Sequence, residues 1–553
     1  MLSQDARRIG VLSLLAGILS LIATGHISGI NNNLFNYITL GRLFDLPQFQ
    51  GDAPVQSMRY YASGFWLPFI GWGRWVSPDI FFLIWAWIAR VVLCWGLLLW
   101  ADLVGIKRTT SRAAFLGIVL LSRYMQGFSY AGDGDLLTSY FSHTDVANGT
   151  MLLALYFVAR GRLTAACVAN GITFFINAFM AIWVAVPFAL ILAWRLRTRR
   201  DDLSSVVRQM AMGLVGFIVL ACPVLWVTFT NPEAHTQAGF AFRPYLLEYF
   251  PGHFLIGTTD GSAIRHLVAL FVAGLAAAWA IRRRSLAPLL ALSGFGIVWI
   301  LGTILPSITD RPAVFVLHLL RSGVGIHLMA GIAIGLFAVS LLEQRTSATM
   351  LASAALVAAC ILPARGPLPL VIVSIAALSV DHWPDWKALR VIAVALILGA
   401  VTKESILLAH GWKANRHIRE RVAEWRELAQ WARTQTASGA TFLLPTSPIF
   451  HGPSAPPVAD AGAEQAAVGD EGFEYYGQRR VWVDYKRGGV IMWAPDYYPV
   501  WKQRVEAILP LPDAASRIAF ARSHGINYVV DRCSDALPAV ARTRDICIYS
   551  GAI

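Results

Sequence analysis

Three polar stretches set between long apolar runs gather the ionisable side chains of this chain. The first, INNNLFNYITLGRLFDLPQFQGDAPVQSMRYYASGFWLPFIGWGRW, carries Asp45, Asp52 and Arg59. The second, SRYMQGFSYAGDGDLLTSYFSHTD, carries Asp133, Asp135, His143 and Asp145. The third, NPEAHTQAGFAFRPYLLEYFPGHFLIGTTDGSAIRH, carries His235, Arg243, Glu248, His253 and Asp260. A carboxylate on an exposed, turned backbone can take a proton from a group within hydrogen-bond reach, and Gly51 and Pro54 give Asp52 such a turn. Asp52 is equally suited to cap a helix begun near Ala53, because an aspartate accepts from the free amides of a first turn. Oxygen ligands joined by one imidazole suit Mg²⁺ or Mn²⁺, so Asp133, Asp135, His143 and Asp145 form a candidate cation site, though their spacing matches no strict metal motif. Arg321, in VFVLHLLRSGVGIHLMAG, is a lone guanidinium near the end of an apolar run. Charge there is costly without a partner. A phosphate answers it through two parallel hydrogen bonds; the alternatives are a side chain that reaches back to the interface or a pair with Asp310.

The elements that must hold these groups are membrane spans. A chain of 553 residues with 56% hydrophobic and 14% charged residues and a mean hydropathy of +0.55 lies outside the soluble globular range. Its net charge of +13 would suggest nucleic acid in a soluble protein. Here the basic residues sit in short runs between apolar stretches, as cytoplasmic loops require, and nucleic acid is set aside as a partner. Residues 9–28 follow Arg7 and Arg8 and are long enough for a retained first helix, although Ala23-Thr24-Gly25 weakly resembles a cleavage site. Further apolar runs, with 163–196 divided at Asn177, give about thirteen spans. Those at Ala113 and Val146 are shorter than a full crossing and are expected to tilt, extend or insert only in part. Lys107, Arg108 and Arg112, then Arg160 and Arg162, then Arg195, Arg197, Arg199 and Arg200, then Arg282, Arg283 and Arg284 fall in alternate connections. This places the amino terminus in the cytoplasm and the three polar stretches, with the tail, outside. The expected organisation is a transmembrane domain at 1–409, with outer loops 29–78, 123–145 and 230–265, and an extracytoplasmic α/β domain at 410–553.

Within the tail, residues 414–436 alternate as an amphipathic helix. TFLLP, RRVWVDY, INYVVDR and DICIYS suggest strands, separated by helices near Trp501 and Ala515. Residues 453–468, rich in Pro, Ala and Gly, suggest a mobile loop. Cys94, Cys167, Cys222 and Cys360 lie in apolar runs as small hydrophobes. Cys533 and Cys547 flank the turn-rich DALPAVARTRD in an oxidising compartment and are a candidate disulfide. Arg479, Arg480 and Lys486 suit either a solvated face or the guidance of an acidic acceptor.

The first span followed by an outer loop with FDLPQFQGD, the later LLRSG opening a span, and the tail's GQRRVWVDYKRGGVIMWAPDYYPVWKQRV resemble the GT-C class of integral-membrane glycosyltransferases, in particular bacterial members. The resemblance covers most of the chain, through layout and weak motifs. It implies transfer of a sugar from a polyprenyl-phosphate carrier to a glycan, lipid or protein acceptor at the outer face of a bacterial inner membrane. It also implies a base on the first outer loop, with Asp52 and Asp45 as the two matching positions, and phosphate contacts from Arg321 and from Arg243 or His253. Loop histidines are otherwise solvated or structural. A transporter or flippase for a lipid-linked glycan is the alternative from another class, but repeated halves with interrupted spans are not visible. A polymerase of lipid-linked glycans is a third. The orientation is directly testable. A cysteine at Ser454 should react with an impermeant maleimide added from outside and one at Ser111 should not; the reverse pattern inverts the topology.

Overall fold

The computed structural model of the protein describes residues 4–27, 33–72, 77–199, 202–234, 240–362, 366–447, 459–460 and 462–551. His235 and residues 453–458 and 461 of the 453–468 loop, Ser454 included, lie outside them; the rest of that segment is not simply a loop, since Ala463–Ala467 forms a short helix. Among the described residues, eight helices are long and apolar enough to cross a membrane: Gln4–Ala23, Pro78–Leu103, Ala178–Thr198, Leu203–Thr230, Gly261–Ala280, Ala287–Ile308, Pro312–Gln344 and Lys387–Gln435. Shorter apolar helices run over Thr109–Leu121, Leu163–Ile176, Ser347–Ile361 and Leu368–His382. The chain is therefore a polytopic α-helical membrane protein, with eight helices of spanning length where hydropathy leads one to expect about thirteen spans.

Two compact units divide it. The first comprises Met1–His26, Ile84–Pro223 and Gly252–Trp412; the second comprises Ile27–Leu83, Val224–Pro251 and Lys413–Ile553. The second polar stretch thus belongs to the helical unit, whereas the first stretch and most of the third group with the tail.

In the first unit, burial separates interior helices from those that face outward. The most apolar stretch of Pro312–Gln344 is 94% buried, and its helix is apolar on every side, as an interior position demands. Small residues allow neighbours to close on it: a Cβ at Gly274 would lie 2.6 Å from that of Ala330. By contrast, the apolar part of Leu203–Thr230 is only 17% buried, with Val215 and Val219 exposed, an arrangement that only lipid makes favourable. The short run at Val146 has its own explanation. The helix His143–Ala159 buries 15 of its 17 residues inside the protein and tolerates Asp145, Asn148 and Thr150 there because Arg90 stands 3.5 Å from Asp145, Asn148 donates to the Asp135 carbonyl, and Thr150 bonds to Thr173. The division at Asn177 is present: its side chain caps the helix Ala178–Trp183 by accepting from the Met180 amide.

The second unit is built on a five-stranded sheet of β1 (Thr441–Leu443), β2 (Arg480–Val481), β3 (Tyr528–Arg532), β4 (Ala539–Arg542) and β5 (Ile546–Ser550), in the order β2-β1-β3-β5-β4. β1 runs parallel to β2 and β3, and β5 is antiparallel to both β3 and β4. Trp425, Leu428, Ala429 and Ala432 form one helical stripe and bury it with Phe442, Val530, Ile546 and Ile548. Two expectations need correcting. The last span and the amphipathic helix are one helix, Lys387–Gln435; Gly399 and Gly411 are the glycines among its helix formers, and each costs about 1 kcal/mol. DALPAVARTRD contains strand β4 rather than turns alone, an exposed edge whose short alanine-rich sequence lacks apolar alternation. The short helices of the first polar stretch do not rest on membrane alone, for Phe35, Phe44, Val55 and Met58 share a core with Val490 and Ala494 of the tail.

Cys533 and Cys547 form a disulfide across the β3–β5 end of the sheet, 14 residues apart in sequence. A bridge closing a loop of this size stabilises by about 3 kcal/mol. Cys533→Ser/Cys547→Ser should therefore speed amide exchange in β3 by about two orders of magnitude, and unreduced peptide mass spectra of the wild type should show the bridge.

Candidate functional site

The second polar stretch is held in the first unit by His327, which is buried on the helix Gly323–Gln344. Its Nε2 accepts from the Tyr130 amide at 3.2 Å, which leaves Nδ1 to donate to the Tyr124 carbonyl at 2.5 Å. Bridges between Gln126 and Leu137 and between Phe128 and Asp135 then fold residues 126–137 into a narrow loop. Gly132 and Asp133 occupy its tip, both with positive φ, at 82° and 47°. A Cβ at Gly132 would stand 2.7 Å from the Arg321 Cα, so the tip can rest on Arg321 only because that residue is glycine.

Around the tip the structure collects one carboxylate, one guanidinium and two imidazoles. Arg321 Nη2 donates to the Asp133 carbonyl at 3.2 Å, and His253 Nδ1 is 3.5 Å from Asp133 Oδ2. Burial raises the Asp133 pKa, but the His253 bond and the Arg321 charge outweigh it and hold the carboxyl below its ordinary range. The fourth member, His318, was not singled out from sequence. It is buried between Phe179 and Phe254, with ring centroids 4.4 and 4.5 Å away. His318 Nδ1 and Arg321 Nε are buried without a hydrogen-bond partner among the described residues. Both side chains line a cleft with Thr144, Asn177 and Trp183. The cleft holds about 20 Å³, room for roughly one water.

Backbone strain marks the same place. Five non-glycine residues have positive φ among those described. Arg42, Arg345 and Gln478 end helices, where a left-handed residue satisfies free carbonyls. Asp133 ends no helix, whereas His318 stands between the helix Pro312–Val316 and the turn Leu319–Ser322, its amide donating to the Phe315 carbonyl; both belong to this cluster. Strain of about 1–3 kcal/mol per residue persists where surrounding structure enforces it, most often at functional sites.

The remaining candidates fall elsewhere. Asp135 accepts from Ser142 Oγ at 2.7 Å, and Asp145 lies 3.5 Å from Arg90, both buried. His143 is near Asp135 and Arg321. Among the described residues no three His, Cys, Asp or Glu side chains are grouped to hold a metal, so Asp133, Asp135, His143 and Asp145 are not brought together as a Mg²⁺ or Mn²⁺ cage. Arg243 lies half-buried on the helix Phe242–Tyr249 of the second unit. Arg479 is neither solvated nor open to an acceptor, since its guanidinium is buried on the Arg433 and Thr436 carbonyls at the end of the helix Lys387–Gln435.

The first-loop carboxylates are held by arginines within the second unit. Asp45 lies between Arg42 at 2.7 Å and Arg59 at 3.0 Å. Asp52 caps the helix Ala53–Ser57 by accepting from the Val55 amide at 3.3 Å, and both its oxygens accept from Arg487 Nη1 at 3.3 Å. Arg487 also donates to Glu474, so two carboxylates share one buried guanidinium. Burial, only partly opposed by Arg487, pushes the Glu474 carboxyl up to about 7.

No known protein family matches the chain, and no curated protein is similar to it. What the fold and site define is thus the class alone: a polytopic membrane protein with a sheet-bearing carboxyl-terminal region and a strained acid, imidazole and guanidinium cluster in its helical unit.

The Glu474 shift has a measurable consequence. A carboxyl held above its ordinary 4.5 favours the protonated native state, so its stabilisation is complete below pH 4.5 and is lost as pH rises through about 7. The unfolding midpoint of the wild type should fall across that window, and Glu474→Gln should make the fall shallower.

Proposed function

We propose that the protein is a glycosyltransferase that moves a sugar from a polyprenyl-phosphate carrier to the hydroxyl of a glycan, lipid or protein acceptor. The observation that carries this reading is the Asp133, His253, His318 and Arg321 cluster. One half-exposed carboxylate stands beside a guanidinium and a buried imidazole, Arg321 Nε and His318 Nδ1, that have no hydrogen-bond partner among the described residues. A sugar on a phosphate lipid already has its leaving group, so the protein must mainly take one proton and neutralise one phosphate. The acceptor oxygen bonds to the anomeric carbon, the carbon–oxygen bond to phosphate breaks, and the electron pair leaves with the polyprenyl phosphate. In this reading the hydroxyl proton passes to Asp133, oriented by His253. The cleft is too narrow for a phosphate, which is read as resting at its mouth on Arg321, with His318 behind.

This reading moves the base from the first outer loop to the second. Asp52 caps a helix and answers a buried arginine, so its lone pairs are engaged by groups that would be left uncompensated if it took a proton. We assign it to the integrity of the second unit. The alternating arginine-bearing connections support an orientation with the tail in the periplasm of a bacterial inner membrane, and the layout resemblance to GT-C enzymes supports the donor class.

Purified protein, a set of polyprenyl-phosphate sugars and a panel of acceptors test the proposal. Asp133→Asn should bind donor and lose turnover by about 10²- to 10⁴-fold. Arg321→Ala should weaken donor binding as well as turnover, because the guanidinium holds phosphate before and during cleavage. Asp52→Asn should lower stability by roughly 3–5 kcal/mol yet retain turnover where folded. Loss of turnover in folded Asp52→Asn with an active Asp133→Asn would return the base to Asp52. Donor movement across vesicles with no sugar transfer by the wild type would favour the carrier.

A further inference from the structure

The arginine-rich connections of the first unit do more than alternate with apolar spans. Five of their arginines line one cavity of about 450 Å³, the size of a small-ligand site. Arg160 and Arg162 come from the turn between the helices His143–Ala159 and Leu163–Ile176. Arg282, Arg283 and Arg284 come from the turn between Gly261–Ala280 and Ala287–Ile308, and Trp194 adds an aromatic wall.

The first of these turns is fixed rather than loose. Gly161 has a φ of 73°, and a Cβ on it would overlap the Arg195 guanidinium. Arg195 in turn is buried and donates through Nη1 to the Ala159 carbonyl at 2.8 Å. Arg160 and Arg162 are therefore held on either side of a packed glycine. In the second turn, Arg282 lies 3.8 Å over the Trp279 ring and donates to the Trp279 carbonyl at 2.6 Å, which fixes its direction.

Charge inside this cavity is unbalanced. Among the described residues, Glu343 is the carboxylate paired with any of the five arginines, 3.8 Å from Arg284, and Arg160, Arg162 and Arg283 have no carboxylate partner. Loop arginines that serve only to set orientation gain nothing by facing one another, since like charges in a concave, partly apolar setting raise each other's energy. A convergent set is stable when an anion joins it. A group with two or more negative charges and several acceptor oxygens matches planar guanidiniums arriving from two sides.

We infer that this cavity is a binding site for a phosphate-bearing polyanion, independent of the cleft at Arg321 and of the transferase reading. The same chemistry belongs to a soluble diphosphate and to the headgroup of an anionic phospholipid, and the test separates them. In one arm, the full chain in phosphatidylcholine nanodiscs is titrated calorimetrically with inorganic pyrophosphate. In the other, it is reconstituted in phosphatidylcholine vesicles with spin-labelled phosphatidic acid or spin-labelled phosphatidylcholine, and the immobilised fractions are compared.

Wild type should bind pyrophosphate, or immobilise phosphatidic acid in preference to phosphatidylcholine, with an affinity that falls as salt rises. The first result assigns a soluble ligand, the second a lipid. Arg160→Gln/Arg162→Gln/Arg283→Gln should weaken that binding by about tenfold or more. These three side chains are exposed, so the exchange leaves the core unchanged. Arg108→Gln/Arg197→Gln, which removes two exposed arginines outside the cavity, should leave binding as it was. No anion preference in either arm, or an equal loss in the second variant, overturns the inference.

Discussion

A charge taken into a low-dielectric interior must bring its partner along, and much of this protein's tertiary arrangement satisfies that one constraint. Arg112 is fully buried and is met by Asp5 at 2.6 Å and Asp102 at 3.2 Å, which ties the first helix to the unit it begins. Arg90 faces Asp145 and donates to the Thr138 carbonyl, joining a spanning helix to the end of the second polar stretch. In the second unit, Arg517 answers Asp531 at 2.5 Å and Asp460 at 2.7 Å, while Arg487 answers Asp52 and Glu474. Removing one partner from such a pair strands the other, so these contacts fix which segments lie together even where their net contribution to stability is small.

Against that background, the places where cations are not fully answered stand out. Among the described residues, Arg321 keeps a backbone carbonyl as its acceptor and leaves Nε without one, and the uncharged His318 imidazole beside it leaves Nδ1 likewise. Among the described residues, the five arginines of the large cavity have a single carboxylate between them. Elsewhere the same chain places carboxylates freely on exposed arginines, as Glu420 on Arg416 and Asp535 on Arg542. Local composition therefore does not force the imbalance; it follows from which residues the fold brings together.

Hydropathy and basic-loop spacing made the membrane class legible, because a spanning helix is specified by its own apolar residues. The break at Asn177 was legible for the same reason, since a cap acts on amides within three residues. Strands β1, β2, β3 and β5 announced themselves through buried apolar runs. β4 did not, because an exposed edge strand has no inward face to pattern. The candidate site was legible only in part. Asp133, His253 and Arg321 stood out as charges beside spans, but the partner of Asp52 lies 435 residues away. No local pattern signals a pairing at that distance. His318 sat unnoticed in an apolar sequence one turn before Arg321, where the left-handed backbone that turns it into the cleft has no sequence mark of its own.

One helix links the two cationic places of the first unit. His143–Ala159 begins at the cleft, whose wall includes Thr144, and its next residue after the last turn is Arg160 of the cavity. At 1.5 Å per residue its 17 residues span about 25 Å, close to the thickness of a bilayer's hydrocarbon core. The helix dipole places partial positive charge at the His143 end, adding to Arg321, and partial negative charge at the Arg160 end, where it helps to hold arginines close together. Its burial makes this effective, because the surrounding protein screens a terminus far less than water would. The two cationic sites thus occupy opposite ends of one rigid, interior element. Substitutions that tilt or shorten that helix would disturb both, whereas a change confined to either turn would disturb one.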